Sequence, residues 1–105
     1  MPSPSPERKV RLSKDASQKW GALSSIPRNI MVAAQTTMHS RVPKEYPLFR
    51  KLRVKGREDF ACRYQFVILD PDAACSHVFT LDFDDATSPD HLFLLDVTHT
   101  RFDAD

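Results

Sequence analysis

DFACRYQFVILDPD, residues 59–72, decides the fold. Read as a strand, it places Phe60, Cys62, Tyr64, Phe66 and Ile68 on one face and Ala61, Arg63, Gln65 and Val67 on the other. The first face is apolar and the second mixed, the pattern of a strand with one side against a core. Asp70-Pro71-Asp72 then signals a turn. SHVFTLDFDD repeats the alternation, with Phe79, Leu81 and Phe83 inward and Val78, Thr80 and Asp82 outward. After the polar connection DDATSPD, HLFLLDV is apolar on both faces, which predicts a central strand. Three such segments in succession predict an antiparallel meander.

Upstream the period lengthens. KVRLS, residues 9–13, reads as a short strand. Asp15 is a candidate helix cap, followed by an apolar stripe of Ala16, Trp20 and Leu23 that SSIP interrupts. Ser25 is a candidate cap for a second helix, with Pro27 in its first turn and Ile30, Met31, Ala34 and Met38 on one face. That helix is expected to end near Arg41, before Pro43. The expected class is therefore α+β: a short N-terminal strand, a helical hairpin, then a three-stranded antiparallel meander packed on the helices. Residues 9–105 are expected to form one domain and residues 1–8 a disordered tail of prolines and serines with nothing to bury. The far sheet face, carrying Arg63 and Gln65, is expected to be open.

The net charge of +1 conceals an asymmetry. Residues 1–63 hold 14 Lys/Arg against 5 Asp/Glu, and residues 64–105 hold 1 against 9. A basic half of this kind implies a polyanion-binding surface, or oppositely charged faces that pair between proteins. No apolar run approaches membrane-spanning length, and MPSPSPERK has no apolar stretch typical of a secretory leader. Cys62 and Cys75 lack metal-site spacing and are expected to be reduced, in a cytoplasmic protein without cofactor, metal or membrane partner.

Several stretches together resemble the RelE/ParE toxin superfamily of bacterial toxin–antitoxin systems, over most of residues 9–102. DASQKWGALSSIPRNI is similar to the family's helical entry, FRKLR to the element before its meander, ACRYQFVILD to its first meander strand and HLFLLDVTHTRF to its last. The resemblance implies a RelE-like fold and a ribosome-dependent mRNA endonuclease (an mRNA interferase that inhibits translation), cleaving by 2′-OH attack on the adjacent phosphate. It also implies a cognate antitoxin, with mRNA and the ribosome as further partners. The alternatives within the same fold are a non-enzymatic ParE-like inhibitor of DNA gyrase and a protein-binding module that has lost catalysis.

Cleavage of that type needs a proton acceptor, a proton donor and cations at phosphorus. FRKLRVKGR supplies Arg50, Lys51, Arg53, Lys55 and Arg57 for phosphates. Arg63 is a candidate phosphate clamp, with an ion pair to Asp82 as its ordinary alternative. His99 is the candidate acid or base and Arg101 a second cation at phosphorus, against a plain surface pair near a strand end. Gln65 and His77 depart from the family pattern, and alternation turns His77 toward the core. Asp82 and Asp84, with His77 and His91, form a weaker metal-like set whose ordinary reading is an acidic edge that resists aggregation.

Overall fold

The computed structural model describes residues 8–23, 25–49 and 62–103. In chain order these form β1 (Lys9–Leu12), α1 (Lys14–Gly21), α2 (Arg28–Phe49), β2 (Cys62–Asp70), β3 (Cys75–Asp84) and β4 (His91–Asp103). The four strands make one sheet in the order β1-β4-β3-β2. The expected α+β class and meander are present, with β2, β3 and β4 joined antiparallel. β1 adds itself parallel to the first part of β4, Lys9 opposite His91 and Leu12 opposite Leu94, so the sheet is mixed. β4 is interior, as its two apolar faces predicted.

α1 starts directly where β1 stops. Ser13 still donates its N–H to the Leu94 carbonyl at 3.0 Å, while its hydroxyl accepts from the Ala16 N–H at 3.1 Å. Ser13 is thus the cap rather than Asp15, which sits in the first turn where a negative charge suits the helix dipole. α2 begins just after Pro27, whose carbonyl accepts from both Ile30 and Met31 at 3.0 Å. It then continues through Pro43 and Pro47 to Phe49 instead of ending near Arg41. Each interior proline removes a helical hydrogen bond, a cost of about 3 kcal/mol. Anchoring of this last stretch offsets that cost. Val42 is fully buried, the Tyr64 hydroxyl donates to Glu45 and the Tyr46 hydroxyl donates to Asp85. Arg8 adds to the same corner, its guanidinium lying 5.2 Å from the centre of the Tyr46 ring.

Both helices cover one sheet face. Ala16, Ile26, Ile30, Ala34, Met38 and Val42 from the helical side meet Cys62, Tyr64, Phe66, Phe79, Leu81, Phe83, Leu92, Leu94 and Val97 from the strands. The ladder between β3 and β4 is regular except at one point. Asp82 faces Asp96, whereas Phe83 faces Leu94, leaving Leu95 as the extra residue of a β-bulge. The cause is visible in the side chains. An unbroken alternation from Leu94 would send Asp96 into the core and Val97 out; the bulge keeps Val97 only 5% exposed and frees Asp96 to meet Lys19 at 2.6 Å.

The β2–β3 hairpin pairs Asp70 with Cys75 across residues 71–74. One Asp70 carboxylate oxygen accepts from the N–H groups of Asp72 (3.1 Å) and Ala73 (3.3 Å), which tightens the turn. Ala74 completes it with φ of 50°, in the left-handed region that a β-carbon disfavours. Ala74→Gly is expected to raise stability by about 0.5–1 kcal/mol, read as a higher denaturant midpoint at unchanged slope.

Candidate functional site

Strand parity distributes the residues proposed from sequence. Arg63, opposite Asp82, lies on the face away from the helices. Its Nε and Nη2 donate to the two Asp82 carboxylate oxygens at 2.8 and 3.2 Å, the ordinary ion-pair alternative considered above. His99 stands opposite Phe79, and Arg101 opposite His77, so both belong to the helix-covered face. The sheet therefore separates Arg63 from His99 and Arg101, and the expected convergence of these three over one open surface does not occur. The bulge at Leu95 is the reason, because it shifts everything after it by one position of alternation. Arg50, Lys51, Arg53, Lys55 and Arg57 lie outside the described residues.

His99 and Arg101 instead join a different group at the end of the covered face. His77, facing inward as its alternation predicted, is 1% exposed. His77 Nδ1 lies 2.8 Å from His99 Nε2, with ring centres 5.1 Å apart and planes inclined by 24°. Two rings joined through facing nitrogens account for that spacing, so the contact is edge to edge. On its other side His77 Nε2 lies 3.5 Å from Cys75 Sγ. The buried Asp70 carboxylate completes the group: one ligand atom each from Asp70, Cys75 and His77 lie within 4.8 Å of one another. Arg101 sits at the rim, its Nε donating to Asp103 at 2.8 Å.

Burial, and next the neighbouring His77, hold the His99 imidazole below its ordinary pKa of 6.5. A neutral His99 can accept at Nε2 from a proton on His77 Nδ1, which leaves the His77 Nε2 lone pair directed at the sulfur. The chain Cys75–His77–His99 thus has the connectivity of a thiol, a base and a group that orients the base. Asp70, Cys75 and His77 equally have the donor set of a metal site. Asp70 and Cys75 escaped the reading of the sequence because Asp70 looked like a turn former and Cys75 like an isolated thiol. The available signal was parity: with the hairpin loop at 71–74, Asp70, Cys75 and His77 must share one face.

The open face has another character. Val67 pairs with Val78 and then Thr100, and Leu69 with Ser76 and then Phe102. Val67, Leu69 and Phe102 are 51, 70 and 57% exposed. Together they make an apolar strip beside β2, which is the edge strand of the sheet. No helix among the described residues is long and apolar enough to cross a membrane. Comparison with known protein families, with characterised proteins and with solved structures returns no match.

Proposed function

We propose that the chain is a toxin-fold protein of the RelE/ParE type that acts by docking onto a protein target, rather than by cutting RNA. The observation that carries this reading is the division of Arg63 from His99 and Arg101 by the sheet, with Arg63 committed to Asp82. Phosphoryl transfer needs its acid, base and cations around one phosphate, and these three groups do not surround one. The apolar strip Val67–Leu69–Phe102 beside the β2 edge fits strand addition, in which backbone pairing gives affinity and alternate side chains give selectivity. The occupant that fits is an extended protein segment with alternating apolar and basic residues, because residues 64–105 carry nine acidic groups against one basic. That occupant is a segment of the target itself, which in the resemblance is a gyrase-type enzyme protected by the cognate antitoxin.

A second reading, ribosome-dependent mRNA cleavage, is favoured by the basic run FRKLRVKGR at residues 49–57. Induced expression of the whole chain in bacteria separates the two. The docking reading expects growth arrest with messages intact, relieved by Leu69→Glu or Phe102→Glu at unchanged protein level. Messages cut at fixed codon positions, with cutting lost in His99→Ala, would replace it with the nuclease. Absence of any growth effect would remove the toxin reading altogether.

A further inference from the structure

We propose that Asp70, Cys75 and His77 bind a divalent transition metal of the Zn2+ type, with His99 as the group that holds His77 in its ligating orientation. The proposal replaces the expectation of no metal and is independent of the docking reading, since the cluster lies on the opposite side of the sheet.

The first argument is distance. Zinc sits about 2.3 Å from a thiolate sulfur and 2.0–2.1 Å from an imidazole nitrogen, so in a tetrahedral site these two ligands stand about 3.6 Å apart. Cys75 Sγ and His77 Nε2 are 3.5 Å apart, and the Asp70 carboxylate is within 4.8 Å of both. Sulfur and nitrogen already have the spacing of two corners of one coordination sphere, the Asp70 carboxylate is near enough to close on the third, and the fourth corner is left for water.

The second argument is the support around the ligands. A ligating imidazole is oriented by a partner on its other ring nitrogen, and His99 Nε2 meets His77 Nδ1 at 2.8 Å. Asp70 is fixed by the two turn N–H groups, and Cys75 enters its strand straight from the strained Ala74. Pairing of β2 with β3 sets Asp70 against Cys75, and alternation adds His77 on the same face.

The third argument is access and donor chemistry. Asp70 and Cys75 are 6 and 5% exposed, which shields the sulfur from a substrate but not from a small ion. A bound divalent cation compensates a thiolate and a carboxylate held this close together. Thiolate, imidazole and carboxylate together match zinc better than magnesium or calcium, which take oxygen ligands.

The test uses the reduced full-length chain, stripped with a chelator and titrated with Co2+. Expected are a sulfur-to-cobalt charge-transfer band in the near ultraviolet and visible bands of low-symmetry cobalt. Both should saturate at one equivalent and be displaced by Zn2+. Cys75→Ser abolishes the charge-transfer band, His77→Ala abolishes binding, and Cys62→Ala retains both. His99→Phe keeps the band at saturation but weakens affinity by about 10–100-fold, the separation expected of a positioning residue. Should a variant fail to fold by circular dichroism, alkylation of the unaltered chain decides: Zn2+ must slow modification of Cys75. A missing charge-transfer band, one that survives Cys75→Ser, or alkylation of Cys75 unaffected by Zn2+ overturns the proposal.

Discussion

Phe79→Ala is expected to cost about 3–5 kcal/mol, a large part of the total stability of a domain of this size. Phe79 is fully buried and lies where the layers meet. Its ring stacks on Phe66 at 5.3 Å and 17°, tilts against Trp20 of α1 at 6.1 Å, and meets the His99 ring at 5.1 Å. Truncation therefore removes a large apolar side chain and leaves a cavity bordered by β2, β4 and α1, none of which can move in without breaking a ladder or a helix contact. At about 4–8 °C per kcal/mol for a domain of 60–100 residues, the melting temperature should fall by well over 10 °C. Urea unfolding with an unchanged slope is the measurement. A loss below about 1 kcal/mol would mean that Phe79 is not at the centre of the core. Loss of Phe79 should also loosen His99, so the Co2+ affinity should fall with the stability.

Ionisation of the two tyrosines is expected to be delayed by about a hundredfold in proton concentration. Burial is the main cause for both. A hydrogen bond to a carboxylate and the negative charge of that carboxylate follow, from Asp85 for Tyr46 and from Glu45 for Tyr64. Both pKa values are pushed up to about 12 from 10.0. Because the folded chain holds these protons more tightly than the unfolded chain, the associated stability is fully present below pH 10. It is lost as the pH rises from 10 toward 12. A spectrophotometric titration should show little phenolate at pH 10.5 in the native protein and more than half in urea. Tyr46→Phe and Tyr64→Phe assign the two steps. Half-ionisation at pH 10 in the native protein would show that the hydroxyls face water, and with them the contacts that carry α2 past its prolines would be gone.

Much of the architecture was readable because burial imposes a period. The odd and even residues of 62–70 and 75–84 separate as their hydrophobicity demands, and the central place of β4 followed from apolar residues on both sides. What escaped reading was what long-range contacts decide. Pro43 and Pro47 argue locally for a helix end, yet Glu45 and Tyr46 are held by residues of the sheet. Asp15 and Ser13 are both acceptable caps, and the choice went to the residue that the sheet had already positioned. The candidate site failed to converge for a related reason. Arg63 and His99 would share one side only with unbroken alternation along the last strand, and the Leu94-Leu95 pair is where it breaks.

That doublet has a consequence for how such a chain can diversify. From Leu95 onward, the orientation of every side chain in the final strand is a matter of counting, odd or even. One codon gained or lost between the doublet and His99 would exchange His99 and Arg101 for Thr98 and Thr100 on the helix side. It would bring the imidazole and guanidinium round to the sheet face that carries Arg63 in a single event. Homologues differing by that one indel would present opposite chemistries from nearly the same text, and an alignment that scores substitutions alone would not detect the change.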